Sequence, residues 1–235
     1  MLRYYEGTVF NTKADVLVNT VNCFGVMGAG IALEFKLRYP EMFIKYEEMC
    51  KNNEYKVGRP RLYKAENISI LNFPTKNHWR APSKIEWIEE GLKYFAENYK
   101  KANIQSIAFP KLGTNNGGLS WEIVKPLMEK HLGNLQDIDI IICLDTLKEA
   151  DGIEKKMVDD FNNTSFELLK KQYKINQKQS EVIEQNCPIN RFWILSTLPG
   201  VGERTYEKLF RHFYGKYENA EDSNNNILVE QLSLF

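Results

Sequence analysis

Val18-Asn19-Thr20-Val21-Asn22, followed two residues later by Gly25-Val26-Met27-Gly28-Ala29-Gly30-Ile31-Ala32, is the stretch that decides the fold. The run Val16–Val21 is short and rich in β-branched residues, which predicts a strand, and the segment Gly30–Arg38 predicts a helix directly after it. Glycines in a strand-to-helix turn let backbone N–H groups approach an anion closely, and the start of the helix adds a favourable dipole. Asn22 supplies a polar amide at the strand end, which is where α/β folds place their ligands. Glycine spacing alone fits a tight turn as well as a phosphate loop, so the neighbouring segments must decide.

Working outward, strands are predicted over Ile68–Phe73, Ile104–Phe109 and Ile138–Leu144, each short, apolar and bounded by polar, Gly or Pro residues. Helices are predicted over Glu41–Lys51, Lys84–Lys101 and Trp121–His131. The second of these carries Ile85, Ile88, Leu92 and Phe95 at helical spacing, with Ser83 and Glu86 in the pattern of a capping box. Strands that alternate with helices imply a three-layer α/β/α domain. A second glycine-rich loop, Pro110-Lys111-Leu112-Gly113-Thr114-Asn115-Asn116-Gly117-Gly118-Leu119, lies between the third strand and the helix that starts at Trp121. Two such loops can grip a diphosphate from both sides.

The 235 residues are long for one domain and short for two. Formal net charge is zero, which argues neither for nor against nucleic acid, so any basic surface must be local. Cys23, Cys50, Cys143 and Cys187 show no C-x-x-C spacing and read as reduced thiols of a cytoplasmic protein. His78, His131 and His212 show no metal-ligand spacing, so no metal and no cofactor are expected. No apolar run of about 18 residues is available to span a bilayer, and Arg3, Glu6 and Lys13 interrupt any leader-like segment. Composition divides the chain into a domain over 1–147, a polar helical linker over 148–187, a helical region over 188–218 and a flexible tail over 219–235.

Three ordered motifs carry a resemblance: Asn-Thr-Val-Asn-x-x-Gly-Val-Met-Gly-x-Gly-Ile-Ala from Asn19, Asn-Phe-Pro-Thr-Lys-x-His-Trp from Asn72, and Gly-x-x-x-Gly-Gly-Leu-x-Trp from Gly113. Together they resemble a macrodomain, and more narrowly the DarG type, DNA ADP-ribosyl glycohydrolases related to the human terminal ADP-ribose protein glycohydrolase. The resemblance covers roughly residues 1–145. It implies ADP-ribose as ligand, with Asn22 on the distal ribose, Gly28, Ala29, Gly30 and Ile31 in the first phosphate loop, and Gly113, Thr114, Asn115, Asn116 and Gly117 in the second. It places the catalytic lysine on Lys76.

A lysine suits that chemistry. Cleavage at the anomeric carbon passes through an oxocarbenium-like centre, and a neutral amine attacks such carbon readily. The amine then needs a depressed pKa, from burial or a nearby cation, and Arg80 is close in sequence. A charged Lys76 would instead stabilise the departing base. Two departures from the wider family stand out. An aspartate that reads adenine in many macrodomains is replaced by Thr8 in Gly7-Thr8, and a catalytic aspartate of the human relative is replaced by Gly117. His78 is a candidate for the missing proton role, and His78 and Trp79 are equally candidate DNA contacts or packing residues.

Leu198-Pro199-Gly200-Val201-Gly202, with Leu209 and Phe213 after it, resembles the helix-hairpin-helix of DNA repair proteins. There Gly200 and Gly202 would present amides to a DNA phosphate, and Arg204, Lys208 and Arg211 would add charge. The final Gln231-Leu232-Ser233-Leu234-Phe235 resembles a bacterial sliding-clamp-binding peptide, with Gln231, Leu232, Leu234 and Phe235 as its anchors. The expected partners are ADP-ribose, ADP-ribosylated DNA, a sliding clamp and a DarT-like toxin, with no membrane. Three functions follow from the resemblance. They are a hydrolase removing ADP-ribose from DNA bases, a non-catalytic reader of ADP-ribosylated DNA, and a hydrolase of protein-linked ADP-ribose.

Overall fold

A computed structural model describes residues 1–64 and 68–217. The described residues divide into two compact units, the first over Met1–Thr146 and the second over 147–217. In the first, strands β1 (Leu2–Tyr5) and β2 (Val16–Asn22) precede helices α1 (Gly30–Arg38) and α2 (Pro40–Lys51). Then follow β3 (Arg61–Lys64), β4 (Ser69–Lys76), α3 (Ile85–Asn98), β5 (Ser106–Pro110), α4 (Trp121–Leu132) and β6 (Asp139–Cys143). The six strands form one mixed sheet in the order β1-β6-β5-β2-β4-β3, parallel throughout except for β3 against β4.

The period-2 geometry of strands explains the three layers. Val16 and Val18 of β2, Leu71 and Phe73 of β4, Ile107 and Phe109 of β5 and Ile140 and Ile142 of β6 share one core with Ile88 and Leu92 of α3 and Val124 and Met128 of α4. Their alternate neighbours Leu17, Ile70, Ala108 and Ile141 turn to the other face, into a core with Phe35 of α1 and Met42 and Tyr46 of α2. Central strands covered on both faces read as continuous apolar runs, which is why they were legible. The expected α/β/α sandwich is therefore present.

Three details differ from expectation. Strands β1 and β3 went unpredicted, because these four-residue edge strands keep partly exposed side chains and carry no bounded apolar run. The helix expected over Lys84–Lys101 runs only from Ile85 to Asn98, with Lys84 at its N-cap and no side-chain cap bond. Ser83 is buried elsewhere, so the expected capping box does not form. Finally, Pro74 lies within a strand, where it can donate no ladder bond. The register slips there: Val21 pairs with Pro74 but Asn22 pairs with Lys76, leaving Thr75 as the extra residue of a bulge.

Gly91 lets α3 lie directly on β4. A Cβ there would sit 2.6 Å from Cε1 of the fully buried Phe73 ring. Alanine favours a helix over glycine by about 1 kcal/mol, but overpacking a rigid buried ring costs about 1–3 kcal/mol. We therefore expect Gly91→Ala to lower the urea midpoint, and an unchanged or higher midpoint would show that helix and strand separate freely.

In the second unit, α5 (Gly152–Asn162), α6 (Phe166–Tyr173) and α7 (Gln177–Gln185) lead through a 3-10 turn (Phe192–Thr197) to α8 (Glu203–Gly215). Phe161, Phe192 and Phe213 contact one another with ring centroids 5.4–5.8 Å apart. Leu169, Ile183, Leu195, Leu209 and Phe210 are buried as well. The span 148–187 is thus no spacer: Met157, Phe161, Leu169 and Ile183 bury their side chains within this unit. The few apolar residues of each short helix look thin alone and suffice only when packed together. Nearly buried Glu154 pairs with Arg191 at 3.0 Å and also accepts the Phe192 N–H at 2.8 Å. A turn over 198–202, with Gly200 at a φ of +82°, leads to Gly202 at the N-cap of α8, and a 3-10 turn stands where the helix-hairpin-helix resemblance implies a first α-helix. The tail residues Gln231, Leu232, Leu234 and Phe235 lie outside the described residues.

Candidate active site

Because β2, β4 and β5 run parallel, their C-terminal ends lie at one edge of the sheet, and Asn22, Lys76 and the second glycine loop follow from those ends. Asn22 and Lys76 are direct register partners. The bulge at Thr75 sets this pairing, since without the extra residue Asn22 would face Thr75.

Asn22 folds the first loop. Its Oδ1 accepts the N–H groups of Phe24 at 2.9 Å and Val26 at 3.4 Å, and its Nδ2 donates to the Val26 carbonyl at 2.6 Å. Tyr46 Oη clamps the Asn22 carbonyl at 2.7 Å. The side chain expected on a ribose is therefore engaged inside its own loop, where its first task is to shape the turn. Beyond it, Gly28 is half-buried, Ala29 is exposed in extended conformation as the N-cap of α1, and Gly30 and Ile31 open the helix. The first turn of α1 holds no acidic residue, so no side-chain charge there offsets the positive end of the helix dipole.

The second loop is wound tightly. Gly113 and Gly118 adopt φ of +67° and +76°, the left-handed region that favours glycine. Leu119 N–H donates to the Gly113 carbonyl at 3.0 Å, and Thr114 Oγ1 donates to the Lys111 carbonyl at 3.1 Å. Ser83, missed as a site residue, packs beneath this loop: its N–H donates to the Gly117 carbonyl at 2.9 Å, and its buried hydroxyl has no hydrogen-bond partner. A Cβ on Gly117 would fall 2.5 Å from the Ser83 hydroxyl and 2.6 Å from the Gly113 carbonyl carbon. The aspartate of the human relative thus has no room here.

The two loops meet. A Cβ on Gly30, itself at a φ of +58°, would stand 2.6 Å from the Asn116 amide nitrogen. The Lys76 amine in turn donates to the Asn116 carbonyl and, at 3.4 Å, to the Trp79 carbonyl. One residue of the second loop therefore touches both the start of α1 and the lysine. Burial alone lowers the Lys76 pKa below its ordinary value. The expected contribution of Arg80 is absent, because its guanidinium lies 4.5 Å over the Trp79 ring. His78 accepts the Arg80 N–H on Nδ1 at 3.2 Å, stacks against Trp79 and meets Phe24 edge-on. Burial pushes the thiols of Cys23 and Cys143 up to about 12 and that of Cys50 up to about 11, so all three stay protonated and unreactive. Among the described residues, no group of three His, Cys, Asp or Glu side chains could hold a metal ion, and no helix is long and apolar enough to cross a membrane. Gly200, Gly202 and Arg204 belong to the second unit.

Residues 18–128 match the family model described as Macro domain. A protein named DNA ADP-ribosyl glycohydrolase from Mycobacterium tuberculosis is 45% identical over 146 residues, which cover 60% of this chain and 42% of that protein. The chain thus spans about two-fifths of the length of the curated relative it matches. The solved macrodomain of Mycobacterium tuberculosis DarG superposes with a TM-score of 0.59 at 45% identity, covering 61% of this chain and 97% of that one. Thermosipho africanus DarTG in complex with ADP-ribose superposes with a TM-score of 0.60 at 38% identity, covering 66% and 44%. Three-layer topology, paired glycine loops and these likenesses agree, and through its first unit the chain belongs to the macrodomain family.

Proposed function

We propose that this chain is a DNA ADP-ribosyl glycohydrolase. It hydrolyses the N-glycosidic bond between ADP-ribose and a nucleobase, with Lys76 as the reacting group. The observation that carries the reading is the junction at Asn116, whose side-chain amide crowds the helix start at Gly30 and whose carbonyl accepts the Lys76 amine. Backbone amides of both loops hold the diphosphate, and the loop shaped by Asn22 lies under the distal ribose. This puts the anomeric carbon before the amine. The neutral amine attacks that carbon, the base departs with the bonding electrons and takes up a proton, and water then releases ADP-ribose and regenerates the amine. Names borne by relatives that match at 40–45% identity support the same chemistry.

The direct test is incubation with ADP-ribosylated oligonucleotides, with products resolved by mass. Hydrolysis yields free ADP-ribose and unmodified DNA, whereas a reader would bind and release its ligand intact. Preference for modified protein over modified DNA would favour the third function. The same assay gives a pH prediction. A nucleophilic amine must be deprotonated, so turnover should rise with pH, and because burial lowers the Lys76 pKa the midpoint should lie below the ordinary lysine value of about 10.4. A profile that falls as pH rises through this range would instead assign a charged lysine stabilising the leaving base.

The second unit is proposed to deliver the enzyme to DNA. Among the described residues Arg204, Lys208 and Arg211 lie exposed on one side of α8 while Tyr206, Leu209, Phe210 and Phe213 enter the core, which sets a basic face next to the Gly200 turn. A clamp-binding tail and a DarT-like partner rest on the resemblance alone.

A further inference from the structure

Among the described residues few large apolar side chains are exposed, and two of them, Phe24 at 57% and Trp79 at 41%, flank Lys76. Their placement follows from the backbone. Cys23, next to Phe24, donates its N–H to the Lys76 carbonyl at 3.0 Å, and the Trp79 carbonyl accepts from the Lys76 amine. Phe24, His78, Trp79 and Arg80 form a continuous column: Phe24 to His78 at 4.5 Å between ring centroids, His78 to Trp79 at 5.7 Å, and the Arg80 guanidinium 4.5 Å over the indole. Exposed rings cost solvation unless a partner covers them, and a patch rimmed by polar groups marks an interaction site. Aromatic rings interleaved with a cation suit unpaired nucleic acid, since every base offers a π-face and its phosphate offers a charge.

Resting on the glycohydrolase reading, we propose that the Phe24–Trp79 column is the platform on which the bases flanking the modified nucleotide stack, with Arg80 taking a backbone phosphate. The diphosphate loops hold the ADP-ribose half of the substrate. The column holds the DNA half and keeps the scissile bond aligned with the lysine. Phe24 and Trp79 are specificity-determining residues and touch no reacting atom.

The test compares an ADP-ribosylated single-stranded 12-mer with the ADP-ribosylated nucleoside, for wild type and for the double variant Phe24→Ala/Trp79→Ala. Loss of two stacked bases should lower the ratio of kcat/KM for oligonucleotide over nucleoside by about tenfold or more. The conservative Phe24→Tyr/Trp79→Phe pair should restore most of it, and Arg80→Ala should weaken the salt dependence of the oligonucleotide reaction. A ratio unchanged within about twofold in the double variant would overturn the proposal. If the wild type turned over neither substrate, the glycohydrolase reading would fail separately. The platform would then be judged by equilibrium affinity for the unmodified 12-mer, where equal binding by wild type and double variant overturns it.

Discussion

Lys76→Ala should reduce release of ADP-ribose from modified DNA by about a thousandfold or more, while affinity for free ADP-ribose falls by about tenfold at most. The separation follows from where the amine sits. Lys76 emerges from the end of β4 and donates to the carbonyls of Asn116 and Trp79, so it lies beside the glycine loops and forms no part of their amide surface. Deleting it removes the reacting group and one tether on Asn116. A single hydrogen bond to a charged group is worth about 1.5–3 kcal/mol, and part of that is recovered when the freed carbonyl meets water. Single-turnover hydrolysis and calorimetric titration of ADP-ribose measure the two effects independently. Retention of wild-type turnover would remove Lys76 from the mechanism. Loss of both turnover and binding would recast the residue as a structural pin between strand and loop.

Gly117→Asp should severely weaken ligand binding and also destabilise the first unit. The substitution installs the residue that the human relative carries, so a purely chemical view predicts improved acid–base assistance. Packing predicts the reverse. The new Cβ would overlap the Gly113 carbonyl and lie 2.5 Å from the buried Ser83 hydroxyl, with no flexible neighbour to yield. Opening the loop to make room breaks the Leu119-to-Gly113 and Ser83-to-Gly117 bonds that set its curvature. We expect a loss of about 2–4 kcal/mol in stability and about a hundredfold or more in ADP-ribose affinity. Gly118→Asn is the matched control. Gly118 also has a positive φ, of +76°, but its Cβ would meet nothing within 4 Å, and asparagine tolerates the left-handed region. If the aspartate variant bound and folded like wild type, crowding would not explain the glycine at 117.

Much of the first unit was legible for a simple reason. The central strands β2, β4, β5 and β6 bury both faces, so burial leaves its mark on the interior residues of each run. The glycine loops were legible because positive φ and close approach at Gly30, Gly113 and Gly118 require that residue type, whatever the surroundings. Edge strands β1 and β3 were not, since none of their side chains is fully buried and the local pattern is weak. The packing of 148–187 is not legible locally, because α6 and α7 each bury one apolar side chain, Leu169 and Ile183, and the four that α5 buries, Ile153, Met157, Val158 and Phe161, find partners such as Phe192 and Phe213 far along the chain.

Ser83 and Glu86 carry the spacing of a helix cap, and nothing local pairs the buried Asn19 with the buried Asn72. Their role is nonlocal: Asn19 Nδ2 donates to Asn72 Oδ1 at 3.0 Å across partnered positions of β2 and β4, holding the register that leads to Asn22 and Lys76. Only the fold reveals such pairings, because partners 53 residues apart leave no local pattern. The amino-acid order alone determined the alternation of strands and helices, the two glycine loops and the lysine at the end of β4. Tertiary structure decided that Asn116 joins Gly30 to Lys76, that Asn22 turns its amide inward, that Arg80 stacks on Trp79 and leaves the amine alone, and that Phe24 stands beside that indole. Backbone conformation is a local property that residue type can dictate. Contact between side chains on different loops depends on how parallel strands bring their ends together, and that exists only once the sheet has formed.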